Sequence, residues 1–262
     1  MLENSDNNEL LINGPEDGVV VLTLNRPKKM NALATSLLRK IAVTIEDCDK
    51  NSEVRAIVIT GGDKVFAAGA DVNEIKLNNS PEGLSDPRPG IWRRIRTARK
   101  PIIAAVEGFC LGAGNELLMC TDICIASEGA RFGQPETNLG IIPGAGGAAL
   151  LPRLIGQQRA MRMVLLGEFI TSEEALAYGL ISEIVPNGKA TQSAKSLAAK
   201  IAKRAPIALI QGKAVVKSSF DLPLDAHLKL ERQAFSLLLS SADKKEGVDA
   251  FLSKRKPIWH GE

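Results

Sequence analysis

Two acidic residues, Glu116 and Glu136, stand in the most glycine-marked stretches of the chain. One lies in Gly108-Phe109-Cys110-Leu111-Gly112-Ala113-Gly114-Asn115-Glu116-Leu117. The other closes Phe132-Gly133-Gln134-Pro135-Glu136, which runs on to Gly140-Ile141-Ile142-Pro143-Gly144-Ala145-Gly146-Gly147. A third segment, Phe66-Ala67-Ala68-Gly69-Ala70-Asp71, precedes both. Turns of this composition leave backbone N–H groups unpaired and unshielded by side chains. A helix starting near Ala113 would aim its first amides and the positive end of its dipole at a ligand. Two such turns that converge could hold a developing oxyanion. On the residues alone, Glu116 reads either as an acid–base group or as a carboxylate that steadies a helix start. Glu136, next to Pro135, reads either as its counterpart or as a solvated loop acid.

Other chemistries lack their residues. Gly112-Ala113-Gly114 supplies only half of a dinucleotide-binding G-x-G-x-x-G, because Leu117 takes the last position. The Gly-Lys pairs at Gly188 and Gly212 are each followed by Ala, so no phosphate-binding P-loop forms. There is no G-x-S-x-G and no H-E-x-x-H. The two histidines, His227 and His260, lie far in sequence from every glycine loop, which argues against a His-based triad. Acid–base work then falls to carboxylates. Cys48, Cys110, Cys120 and Cys124 have no second pair or histidine nearby to complete a metal site, although Cys120 and Cys124 would share a face of a helix. They read as buried reduced thiols in a reducing compartment, and no metal is expected.

The elements that must position these groups follow from apolar patterning. Val19–Leu24, Ala56–Thr60 and Ile102–Val106 are continuous apolar, β-branched runs, and residues 122–126 form a fourth. Runs of this kind are strands buried on both faces of a parallel sheet. Helical patterns alternate with them: residues 35–49, with Thr35 or Ser36 as cap, and residues 112–120. Residues 77–89, rich in Pro, Asn, Ser and Gly, read as an exposed loop. From about Gly144 the chain turns mostly helical, with a capping box at Thr171…Glu174 and long patterns over 189–204, 206–219, 223–242 and 244–254.

At 262 residues, 45% hydrophobic and 24% charged, the chain suits one large domain, or one domain with a helical extension. Its net charge of +3 does not call for nucleic acid, and would suit an anionic ligand. The one basic cluster is Arg93, Arg94, Arg96, Arg99 and Lys100. The acidic, polar start has neither a signal-peptide nor a transit-peptide pattern. No window approaches the roughly 20 apolar residues of a membrane span. A cytoplasmic protein is expected.

The three glycine-marked segments, in this order and spacing, resemble the crotonase (enoyl-CoA hydratase/isomerase) superfamily. FGQPE, IPGAGG and both glutamates carry the resemblance. It extends from Arg26-Pro27 and Met30-Asn31-Ala32-Leu33 to Phe251-Leu252-Ser253-Lys254-Arg255-Lys256-Pro257. It implies an α/β fold: a crotonase-like ββα superhelix core over residues 1–195, then a helical C-terminal trimerisation region over 196–262. It implies an enzyme that adds water across the 2,3 double bond of a trans-2-enoyl-CoA to give a 3-hydroxyacyl-CoA. Ala70 and Ala113 match the positions whose N–H groups grip the thioester carbonyl, and Glu116 and Glu136 match the two catalytic acids. The expected division is Glu116 as base on water and Glu136 as proton donor to C2. Lys28, Ala32 and Ala68 match the CoA channel, with Gly69, Asp71, Val72 and Gly112 in the same substrate-binding loops. Gly133 and Gly144 match glycines near the reacting centre. Phe251 and Lys254 match positions that approach CoA, often from another subunit. The resemblance implies a homotrimer or a hexamer of paired trimers, and no cofactor beyond the CoA of the substrate.

The chain departs from the commonest family pattern at Ala113, where Gly is frequent, at Asn115, and at Ala148-Ala149 in place of Thr-Gln. An alanine at 113 still offers its N–H if φ is negative. Isomerases and other crotonase-type acyl-CoA enzymes share the oxyanion loops but usually lack one of the acids. An RNA-binding homologue would have to rely on the Arg93–Lys100 cluster, which carries no interleaved aromatics beyond Trp92. Asp86-Pro87-Arg88-Pro89-Gly90-Ile91-Trp92 resembles the 2,3-dehydroadipyl-CoA hydratases of phenylacetate catabolism, with short-chain β-oxidation hydratases as competitors. Arg88 then either meets a distal carboxylate of the substrate or is an ordinary loop arginine.

Overall fold

The computed structural model describes residues 8–77 and 85–262. Successive side chains of a strand point to opposite faces, and here both faces are covered. Along the chain the strands are β1 (Leu10–Glu16), β2 (Val19–Leu24), β3 (Ala56–Thr60), β4 (Ile102–Val106), β5 (Phe109–Leu111), β6 (Ile123–Ser127), β7 (Arg131–Gly133), β8 (Phe169–Thr171) and β9 (Glu183–Val185). Six of them form one sheet in the order β1-β2-β3-β4-β6-β9, parallel except for β1 against β2. On one face Val20, Leu22, Ile57, Ile59, Ala104 and Val106 join Leu37, Ile41 and Ile45 of the Thr35–Lys50 helix and Ile91 and Ile95 of the Arg88–Arg96 helix. On the other face Val19, Val21, Val58, Ile103 and Ile125 meet Ala190, Ala194 and Ala198. Those alanines, four apart, let the Ala190–Ala202 helix lie close on the sheet. The expected boundary between residues 195 and 196 falls inside this helix.

The remaining strands, β5-β7-β8, make a small second sheet beyond the carboxyl ends of β4 and β6. It receives the chain leaving both strands and turns it toward one place: β5 leads into the Ala113–Cys120 helix, and β7 into the 3₁₀ turn Pro135–Leu139. Ligands of parallel sheets bind outside such carboxyl ends.

The structure amends several expectations. β1 and the three-residue strands carried too little pattern to be read. The Thr35–Lys50 helix is not capped by Thr35 or Ser36; Ala34 is its N-cap. Glu74 instead takes the Thr35 N–H, at 3.0 and 3.1 Å, and the Thr35 hydroxyl, at 2.7 Å. The loop expected over residues 77–89 ends earlier, since the Arg88–Arg96 helix includes Arg88 and Pro89. Its residues 78–84 lie outside the described part. Cys120 and Cys124 share no helix face, because Cys120 ends a helix and Cys124 is in β6. All four thiols are free and buried. The Thr171…Glu174 capping box is present.

The C-terminal helices Pro206–Ser218 and Leu224–Leu239 bury no residue within the chain. Leu224, Leu228, Phe235, Leu237 and Leu239 are exposed along the second. Among the described residues, no helix is long and apolar enough to cross a membrane.

Candidate active site

The first glycine-marked segment is stitched on both sides. The Ala68 N–H donates to the Met30 carbonyl and the Leu33 N–H to the Gly69 carbonyl, at 3.0 and 2.8 Å. On its other side the Ala67 N–H donates to Phe109 O, and the Leu111 N–H to Ala67 O, which joins it to β5. Buried Asn31 fastens the approach, its Nδ2 donating to the carbonyls of Gly61, Val65 and Phe66. Asp71 closes the segment as an ion-pair clamp, 2.8 Å from Arg26 and 3.3 Å from Lys29. Hydrogen bonding from Arg26 leads the effects that pull its carboxyl down to about 2. The Ala70 N–H takes no part in this stitching.

Facing it is the start of the Ala113–Cys120 helix. Gly112 caps it with φ +51° and ψ −123°, a conformation open to glycine, and a Cβ there would stand 3.2 Å from Glu136 Oε1. Ala113 keeps a negative φ. As the first helical residue, it has an N–H with no intrahelical acceptor, and no other described residue accepts it. Gly114 lets the helix press on Ala67, whose carbonyl would be 2.3 Å from an added Cβ. Ala70 and Ala113, whose amides have no acceptor among the described residues, therefore line one cavity of about 280 Å³.

Glu116 enters that cavity from the first turn of the helix and is 2% exposed. Its Oε1 accepts the N–H of Ala145 at 2.7 Å and of Gly147 at 2.8 Å. Gly147 begins the Gly147–Ile155 helix, so the carboxylate also faces a helix amino end. Burial raises its pKa, and the two N–H donors oppose the rise. Glu136 reaches the same cavity from the 3₁₀ turn. Its Oε2 is buried with no hydrogen-bond partner among the described residues. Burial pushes its carboxyl up to about 7, with the charge of Glu116 adding to the rise. Burial thus raises both carboxyls, but two donors that favour the anion oppose the rise at Glu116, whereas the Glu136 Oε2 has no such donor among the described residues.

Gln134 reinforces the contrast. Its fully buried amide is satisfied when the nitrogen faces the carbonyls of Gly112 and Gly133, at 3.0 and 3.1 Å. The group 3.4 Å from Glu136 Oε1 is then the amide oxygen, an acceptor suited to a protonated carboxyl.

Of the residues singled out from sequence, Ala68, Gly69, Ala70, Val72, Gly112, Ala113, Glu116, Glu136 and Gly144 all line this cavity. Asp71 lies beneath it in its clamp. Gly133 is structural: its carbonyl accepts the Gly112 N–H, and a Cβ would stand 2.5 Å from the Phe169 ring. Lys28 and Ala32 flank the stitched segment without lining the cavity, and Phe251, 82% exposed, and Lys254 lie on and just past the last helix. Arg88 lines the cavity, but Asp86 holds its guanidinium at 2.6 and 2.7 Å. The basic cluster does not form one patch: Arg94 pairs with Glu46, and buried Lys100 is bound by the carbonyls of Cys48 and Asn51. Sequence reading missed the apolar wall of Trp92, Leu139, Ile141 and Ile142, and it missed Gln134. The FGQPE motif contained that glutamine, but its partners are backbone carbonyls that no spacing reveals.

The model of the family described as enoyl-CoA hydratase/isomerase matches residues 14–262. The chain is similar to the 2,3-dehydroadipyl-CoA hydratase of Escherichia coli strain K12, 43% identical over 251 residues, which are 96% of this chain and 98% of that protein. It is similar to the short-chain-enoyl-CoA hydratase of Clostridium acetobutylicum, 41% identical over 92% of this chain and 94% of that protein. The crystal structure of an enoyl-CoA hydratase from Bacillus anthracis superposes with a TM-score of 0.92 at 34% identity, covering 97% of this chain and 100% of that one.

Proposed function

The chain belongs to the enoyl-CoA hydratase/isomerase family, and we propose that it works there as a hydratase, converting a trans-2-enoyl-CoA to the 3-hydroxyacyl-CoA. One observation carries the reading: two glutamates share a cavity with two amides that have no acceptor among the described residues, and backbone donors oppose the burial-driven rise at Glu116 while Glu136 is pushed up to about 7. Water adds poorly to an alkene unless the conjugated thioester oxygen can carry enolate charge. The Ala70 and Ala113 N–H groups receive that charge, and losing one such donor typically lowers the rate about 10²–10³-fold. Glu116, the carboxylate, takes a proton from water as its oxygen bonds to C3. Glu136, the acid, gives its proton to C2. The two carboxyls then re-exchange the proton with solvent before the next turnover. Water, Glu116 and Glu136 carry every proton in this scheme.

The relatives' names support an acyl chain of short to medium length, in fatty-acid β-oxidation or in aromatic (phenylacetate) catabolism. The apolar face of the Leu224–Leu239 helix and the exposed Phe251 support a trimer, or a hexamer of paired trimers, in which Phe251 and Lys254 reach the CoA of a neighbouring subunit. Four buried free thiols support a reducing compartment, the cytoplasm. Incubation with crotonyl-CoA tests the reading: 3-hydroxybutyryl-CoA is expected. A shifted double bond in a longer enoyl-CoA, or the free acid, would point to another chemistry of the family.

A further inference from the structure

The cavity of the two glutamates borders a second space of about 290 Å³, and Pro89, Trp92, Gly144 and Ala145 line both. The remaining lining of the second space is Arg96, Gly146, Ala149 and Leu150. Its wall is apolar side chain and backbone, apart from one cation. The loop between the two spaces is the one whose Ala145 and Gly147 amides hold Glu116.

Arg96 differs from the other arginines nearby. Arg88 is tied to Asp86 and Arg94 to Glu46. Arg96 makes no ion pair among the described residues; its charge acts on the Cys120 thiol and on Glu116. It is therefore the one cation lining either space that has no carboxylate partner among the described residues. It is half-buried and close enough to Glu116 to favour that carboxylate electrostatically. A guanidinium keeps its charge at any relevant pH and offers a planar fork of donors that fits a carboxylate in two parallel hydrogen bonds. Partly withdrawn from water and without an ion-pair partner among the described residues, it has donors left for a ligand's carboxylate.

We propose that Arg96 receives the terminal carboxylate of a dicarboxylyl acyl chain, so that the second space selects enoyl-CoA substrates with an acidic far end. The assignment rests on the hydratase reading and adds the residue that sets its substrate class. It moves the distal-carboxylate role away from Arg88, whose charge Asp86 already neutralises.

The test uses two saturated six-carbon thioesters that cannot be hydrated, adipyl-CoA and hexanoyl-CoA, titrated calorimetrically into the whole protein. They differ only at the far end of the chain. The wild type should bind adipyl-CoA about 10- to 100-fold tighter, the effect of one charge-assisted contact. Arg96→Gln should bring that ratio close to one, and Arg96→Lys should keep part of it. A wild-type ratio near one overturns the proposal without needing any variant. A ratio that survives Arg96→Gln also overturns it. So does an equal loss for both thioesters, which would assign Arg96 to the CoA moiety or to the fold. Hydration of crotonyl-CoA, which has no acidic end, is measured separately; its absence would sink the hydratase reading while the binding ratio still tests Arg96.

Discussion

Replacing Glu136 with Gln should stabilise the protein while it disables turnover, and the gain should grow with pH. Glu136 is buried, its Oε2 lacks a partner among the described residues, and its carboxyl stands at about 7 against 4.5 in an open chain. Because the folded value is raised, the folded chain holds a proton that the unfolded chain has released between those two values. Stability therefore falls as pH climbs from 4.5 to 7 and does not fall further above that. The full loss is at most about 3 kcal/mol, and water entering the cavity reduces it. Gln is nearly isosteric and never ionises, so it escapes the loss. The assay is urea denaturation of wild type and Glu136→Gln at pH 5 and pH 8. The stability advantage of the variant should be about 2 kcal/mol larger at pH 8 than at pH 5. The same titration sets the rate: kcat/KM for crotonyl-CoA should fall about tenfold per pH unit above about 7, as the proton donor is lost. An advantage that stays flat between the two pH values would refute a Glu136 kept protonated by burial.

Three further outcomes follow from the geometry. Gly112→Ala puts a Cβ 3.2 Å from Glu136 Oε1 at φ +51°, and should cost about 1–3 kcal/mol in denaturation along with most of the hydration; unchanged stability and rate would contradict it. Asp71→Asn removes the closest carboxylate of Arg26, leaves it Glu9 at 3.1 Å, and should cost about 2 kcal/mol at neutral pH. Since Asp71 has a lowered value of about 2, its contribution is complete above 3.8 and fades as pH falls toward 2; a loss that does not shrink in acid would count against the clamp. Light scattering should give three or six copies of the 28.0 kDa chain, and Leu228→Glu should shift the population toward single chains; a wild-type monomer would contradict the assembly.

The parts legible in sequence share a physical cause. β2, β3, β4 and β6 could be read because burial on both faces makes each a continuous apolar run. β1 could not, because only Leu10 is buried along it and Gly14-Pro15 breaks its pattern. β5, β7, β8 and β9 have three residues each, too few to show a period. The cap of the Thr35–Lys50 helix was missed because Glu74 supplies it from 39 residues away. Nothing in the spacing of Glu116 and Glu136 says that they meet. They do so because β5 and β7 pair in the small sheet and deliver both into one cavity. The family resemblance supplied that meeting in advance; the residues alone supplied only the types. The Asp86–Arg88 pair was visible two residues apart, and its neutrality could have been weighed at once.

The most direct measurement is the hydration of crotonyl-CoA by the wild type beside Glu116→Gln and Glu136→Gln, with folding of each variant checked by circular dichroism. The wild type should yield 3-hydroxybutyryl-CoA, and each folded variant should be slower by about 10²–10⁴-fold. Near-normal turnover in either folded variant would contradict the two-carboxylate scheme.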